Sequence, residues 1–178
     1  MPAVQSYDGG HAAFHDHWIR RERVKPKPDS EIRLRAWRNP DHLLRDRNLG
    51  LAYISAGSTG DSKLLSEGMS LLPSAPADGV VETARGFVLL RMRNIPQAIL
   101  AFRRAWQERP NDSTRCLNLA AALLASGERG EAKEKAERAI ALEPLLEDAY
   151  AILAEIEPRQ SAFWKARYMK LAGRKLAP

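Results

Sequence analysis

At 178 residues the chain is long enough for one domain, or a short array of repeats, with a continuous core. A balance of 44% hydrophobic and 28% charged residues excludes a disordered polar chain, and no apolar run nears the roughly 20 residues that span a bilayer. The net charge of +6 favours anionic partners, and the single cysteine, Cys116, excludes an internal disulfide, a thiolate metal cage and a haem-attachment pair.

Residues 1–40 are expected to form an irregular arm. Three of the four histidines, His11, His15 and His17, lie within seven residues of one another there. Imidazoles at spacings of two and four can share a transition-metal ion; plain surface histidines are the simpler reading. A Lys25-Pro26-Lys27-Pro28 linker and a short segment from Ile32 to Trp37 follow. Basic residues cluster at Arg20, Arg21 and Arg23, again at Arg33, Arg35 and Arg38, and at the far end at Lys165, Arg167 and Lys170. Neither a stacking platform nor a nucleic-acid motif accompanies them, so a solvated basic surface or an acidic protein partner is expected before nucleic acid. The chain opens without an apolar leader, which as it stands implies the cytoplasm.

From residue 41 onwards apolar residues recur at helical spacing. Eight helices are expected, over about 41–56, 62–72, 77–92, 95–108, 113–126, 129–142, 146–157 and 160–175. Small residues and prolines recur in phase: Ala98, Ala132 and Ala166 step by 34, as do Pro110, Pro144 and Pro178, and Gly86 leads to Ala120 by the same interval. Small side chains let paired helices approach, proline stops the second helix of each pair, and Gly57 and Gly127 suit the turns. Gly50 to Gly86 is 36, which implies a two-residue insertion, expected around Pro73–Asp78. The pairs form repeats over about 41–74, 79–112, 113–146 and 147–178. The outer two are imperfect. Ser62 and Ser66 fall where Ala98 and Phe102 stand in the second repeat, Pro158 shortens the seventh helix, and Lys170 falls at the Phe102 position. Cys116, among Leu117, Leu119 and Ala120, is expected to be a buried structural thiol.

Leu49-Gly50 with Tyr53, and Ala98 with Phe102 and Pro110, resemble the tetratricopeptide repeat (TPR) pattern W-x2-L-G-x2-Y, A-x3-F, P. The resemblance covers residues 41–178. It implies an all-α, right-handed solenoid of about four helix pairs, acting as a scaffold that holds a peptide or partner surface in its concave groove. It places Asn48 and Asn118 at equivalent inner positions, where an amide can donate to and accept from an extended backbone. Thr83, Phe87 and Arg91 would line the middle of that groove. In the alternative reading, the two asparagines cap or bridge neighbouring helices. The Lys, Asn and Arg set with which one subtype clamps chaperone carboxylates is incomplete: Arg47 is a partial match, and Thr83, Ala84 and Phe87 do not continue it. The last helix is expected to cap the array itself through Lys165, Arg167, Arg174 and Lys175, or to pack Phe163, Trp164 and Tyr168 on a partner or a second copy. No phosphate loop and no nucleophile with a nearby base and acid marks the chain as an enzyme.

The stretch Asp8–Arg21, with His11, His15, Asp16-His17 and Ile19-Arg20, resembles the end of multihaem cytochrome c modules that precede TPR repeats in bacterial extracytoplasmic proteins. The opening Met1-Pro2 adds to that likeness. The resemblance implies His11 and His17 as axial haem ligands, with His15 the weaker candidate, in a longer parent bearing the C-x-x-C-H motif that this chain lacks. As it stands, the chain would carry no cofactor. The alternative function is then the C-terminal TPR part of an electron-transfer protein in the periplasm.

Overall fold

A computed structural model describes residues 34–36, 42–74 and 77–173, so the arm and its candidate ligands His11, His15 and His17 lie outside the described residues. Eight α-helices and no strand are present among the described residues: α1 (His42–Gly57), α2 (Ser62–Leu71), α3 (Gly79–Arg91), α4 (Ile95–Glu108), α5 (Ser113–Ser126), α6 (Arg129–Leu142), α7 (Glu147–Ile156) and α8 (Ser161–Ala172). Short 3-10 turns follow α2 and α7. Each expected helix is found, with ends displaced by three residues or fewer. Local chemistry explains the boundaries. Asp61, Asp78 and Asp112 accept hydrogen bonds from first-turn amides of α2, α3 and α5 at 2.9–3.2 Å, satisfying donors that lack an intrahelical partner. Gly127, at φ 86°, closes α5 in the left-handed conformation that glycine adopts without strain.

The helices fall into two compact units, residues 1–75 and 76–178. In the first, α1 and α2 pack as a pair. Their backbones approach so closely at Gly50 and Gly68 that a Cβ on Gly68 would lie 2.7 Å from the Gly50 carbonyl oxygen. The Leu34 amide donates to the Tyr53 hydroxyl at 3.1 Å.

The second unit contains three helix pairs, α3–α4, α5–α6 and α7–α8, joined by packing of α4 on α5 and of α6 on α7. Its core holds one cluster around Ala98, Phe102, Leu119, Leu123 and Ala132 and another around Ala120, Ala136 and Leu153, and the half-buried Leu124 and Ile156 pack against both. Burial of the small residues Ala98, Ala132 and Ala136 brings the paired helices together, and Cys116 is fully buried as expected. Arg115 ties α5 to the end of α4, donating to the Ala105 carbonyl at 2.6 Å and to Glu108 at 3.0 Å. The result is an α-solenoid of TPR-like helix pairs.

The imperfect repeats differ from expectation in register. Ser62 and Ser66 are exposed, while Leu64, Leu65 and Gly68 are buried. The buried stripe of α2 therefore stands 34 residues before that of α4, whereas Gly50 stands 36 before Gly86. The two extra residues thus lie between α1 and α2, where the turn is longer, and not around Pro73–Asp78. Gly57 ends α1 and opens the turn as expected, its carbonyl accepting from the Gly60 amide at 3.0 Å, with Leu64 and Leu65 packed against it.

At the other end, Ala166 and Lys170 are exposed and Tyr168 is buried. Helix α8 starts 32 residues after α6, whereas α6 starts 34 after α4. Pro158 stops α7 after ten residues, and the 3-10 turn leads into α8 early. The inward stripe is consequently shifted by two residues: Trp164 takes the place of Ala98 and Ala132, and Tyr168 that of Phe102. Trp164 and Tyr168 therefore pack inward, and of the three aromatics Phe163 alone stays exposed, its ring 4.8 Å from that of Trp164.

Candidate protein-binding face

In the second unit the backbones of α3, α5 and α7 approach one another in sequence, while those of α4, α6 and α8 do not, α4 and α6 being joined through long side chains such as the Arg103–Glu131 ion pair at 2.8 Å. A row of helices that touch, backed by a row that splays, must curve with the touching row inside. The inner face is therefore built from the first helix of each pair. Stepping by 34 along α3, α5 and α7 gives Ala84, Asn118 and Ile152 at one register and Phe87, Ala121 and Glu155 at another.

The predicted residues occupy this face unequally. Phe87 is half-buried and packs against the Ala98–Leu119 core, and Arg91 lays its guanidinium 5.8 Å from the centre of its ring. Cation and ring together form a flat edge at the α3 end of the face. Thr83 is half-buried and donates its hydroxyl to the Gly79 carbonyl at 2.6 Å. That local bond occupies the hydroxyl proton and leaves the methyl group and oxygen lone pairs as its outward chemistry. Asn118 is half-buried on α5 with no side-chain hydrogen-bond partner among the described residues. It neither caps nor bridges a helix there.

Asn48 belongs to the other unit. It is exposed on α1 and accepts a hydrogen bond from Arg47 at 3.0 Å. Thr83, Phe87, Arg91 and Asn118 thus belong to one curved unit, and Asn48 is described apart from them.

Sequence reading took Leu117 and Leu124 only as apolar helix residues and did not single out Ala121; all three are half-buried around Asn118. It also missed Asp148 and Glu155, which are exposed on α7. Applying the 34-residue step to Phe87 would have found Ala121 and Glu155. The face therefore runs from a cationic end at Arg91, across an apolar middle holding one amide, to an acidic end on α7. Behind it, burial pushes the Cys116 thiol above its ordinary range, while the neighbouring Trp106 indole and the charges of Lys135 and Arg138 pull the other way. A buried, protonated thiol is a packing group and not a nucleophile. No group of three or more metal-ligating side chains occurs among the described residues.

No protein-family model matches the chain, and no curated protein matches it. Solved structures do. A crystal structure of MamA is similar over 76% of this chain and 81% of its own, with 16% sequence identity and a TM-score of 0.64. A MamA AMB-1 structure is similar over 74% of each chain, with 19% identity and a TM-score of 0.58. At these identities the likeness is one of fold, and it agrees with the TPR-like reading of the helices.

Proposed function

We propose that the chain is a protein-interaction scaffold whose inner helix face holds an extended segment of a partner protein. The observation that carries this reading is Asn118: a half-buried amide with no hydrogen-bond partner among the described residues, set beside the half-buried Leu117 and Ala121. An amide there can accept from and donate to a passing backbone, while Phe87, Leu117 and Ala121 offer surface to apolar side chains. The charges at the two ends add direction. An acidic residue is drawn to Arg91 and a basic one to Asp148 and Glu155, and the net charge of +6 draws acidic partners at long range.

The test is to pan a random-peptide phage library against the full chain and repeat it with Ala121→Arg and Asn118→Ala. Peptides enriched on the wild type should be lost with Ala121→Arg, which fills the strip. They should bind about two- to tenfold more weakly to Asn118→Ala, the worth of one neutral hydrogen bond. Failure to enrich any peptide, or enrichment indifferent to Ala121→Arg, overturns the proposal.

A second reading rests on the sequence of the arm, where His11 and His17 match haem ligands of multihaem modules. In it, the repeats dock an electron-transfer module to its redox partner, on the extracytoplasmic side. Haem staining of the protein isolated at its natural length from its own cells decides this: covalent haem supports it, and a haem-free protein of the present length refutes it.

A further inference from the structure

The curvature that closes the inner face opens the outer one. Where α4 and α6 splay, a cleft of about 470 Å³ lies between Trp106 at the end of α4, Pro110 and Asn111 in the following turn, and Lys135, Arg138 and Ala141 on α6. It belongs to the second helices of the pairs and is distinct from the strip around Asn118. Trp106, Pro110 and Ala141 supply apolar surface. Lys135 is 8% exposed and sets its ammonium 4.2 Å from the centre of the Trp106 ring, which fixes the indole from one side.

The charges of the cleft are unevenly matched. Lys135 pairs with Glu134 at 2.9 Å, and Glu137 faces Lys133 at 3.6 Å. Arg138 has no acidic partner among the described residues; its guanidinium donates to the neutral amide oxygen of Asn111 at 2.6 Å. An exposed cation beside an aromatic floor is thus left with its charge unanswered. Glu134 and Glu137 on the rim repel a run of acidic residues, so the cleft selects a single carboxylate next to a bulky apolar group.

We infer that this cleft is a second docking site, for a partner-protein segment that carries an aromatic side chain and one nearby carboxylate. The ring lies on Trp106, Pro110 and Ala141, and the carboxylate replaces Asn111 as the partner of Arg138. Periodicity supports a dedicated feature. The Trp106 position becomes Ile140 in the next pair, and the Lys135 position is Ala101 in the one before, so this combination occurs once in the three pairs of the unit. With the inner face, it would let one chain hold two segments at once.

The test uses the full chain, labelled with ¹⁵N, and a capped peptide bearing one phenylalanine and one glutamate two residues away. The Trp106 indole N–H, buried beside Cys116 with no hydrogen-bond partner of ordinary length among the described residues, is the reporter. Saturable movement of its resonance is expected, with about tenfold weaker binding by the Glu→Gln peptide or by Arg138→Ala, since the lost bond is charge-assisted. Ala141→Arg, an exposed change that fills the cleft, should abolish the response and leave inner-face binding intact. No movement at Trp106 with millimolar peptide, or movement that persists in Ala141→Arg, overturns the inference. Shifts confined to Asn118 place the peptide on the inner face and overturn it equally.

Discussion

Gly86 and Gly130 are both helical glycines, and the same substitution should have opposite effects at the two. A Cβ on Gly86 would lie 2.7 Å from the ring of Phe102, a residue only 3% exposed and held between two helices. Overpacking of this kind costs about 1–3 kcal/mol, against a gain of up to about 1 kcal/mol from alanine's better helix propensity. Gly86→Ala should therefore lose about 1 kcal/mol. Gly130, near the start of α6, has nothing within 4 Å of its would-be Cβ and no left-handed backbone, so only the propensity and chain-entropy gains remain. Gly130→Ala should be more stable by about 0.4–1 kcal/mol. Urea denaturation of both variants checks the pair; a shift of the same sign in both refutes the account. The sequence announced Gly86 as a close-contact position because it stands 34 residues before Ala120. Asn118 was legible in the same way, as a polar residue on a helix otherwise rich in leucine and alanine. Trp106 was not, since its partners come from another helix and a turn, and no periodicity links them.

Among the elements, α8 shows why register outlasts sequence spacing as a guide. Counting by 34 led from Ala132 to Ala166, yet Pro158 shortened α7 and the stripe slipped by two residues. A proline can be seen in a sequence, but whether the chain absorbs it by a kink, a longer turn or an early start is decided by packing. Here Glu157 holds the altered corner together. It accepts from the Trp164 indole at 2.7 Å and pairs with Lys133 of α6 at 2.6 Å. Lys133 chiefly, and Trp164 after it, hold the Glu157 carboxyl below its usual range, and Glu157 in turn raises Lys133. A carboxyl whose folded pKa is depressed stabilises the fold above its unfolded pKa, and that stability is lost as pH falls through the folded value. A lysine whose pKa is raised contributes below its unfolded pKa and loses that contribution as pH climbs through the folded one. The corner should thus hold through neutral pH and loosen in acid below the ordinary carboxylate range. Glu157→Gln keeps an acceptor for the indole but removes the charge. Its denaturation midpoint should fall slightly at neutral pH and converge with that of the wild type in acid. Equal pH dependence in the two proteins would show that this pair does not steady α8.

For the molecule as a whole, the question is which part of it can stand alone. A single helix pair cannot bury its apolar face by itself, and stability in repeat arrays is close to a sum of repeat terms and neighbour interfaces, with about three repeats needed. The first unit contributes one described pair, with Leu64, Leu65, Ile54 and Leu72 as its buried aliphatics. The second contributes three pairs, two inter-pair junctions and buried clusters around Phe102 and Leu153 that Leu124 and Ile156 both pack against. This division was not legible in the sequence. The 36-residue Gly50 interval marks the longer turn between α1 and α2, inside the first unit, while Leu64 to Ala98 keeps the regular step of 34 across the boundary. Where the units part depends on how the helices pack, which residue spacing does not record. A fragment of residues 76–178 should therefore express as a helical protein with a cooperative thermal transition. A fragment of residues 1–75 should be largely unfolded by circular dichroism at the same concentration. Because the inner strip around Asn118 and the Trp106 cleft both lie within 76–178, the longer fragment should also retain every peptide response of the full chain. If it unfolds without cooperativity, the three pairs depend on the first unit, and the assignment of a self-supporting core to residues 76–178 is wrong.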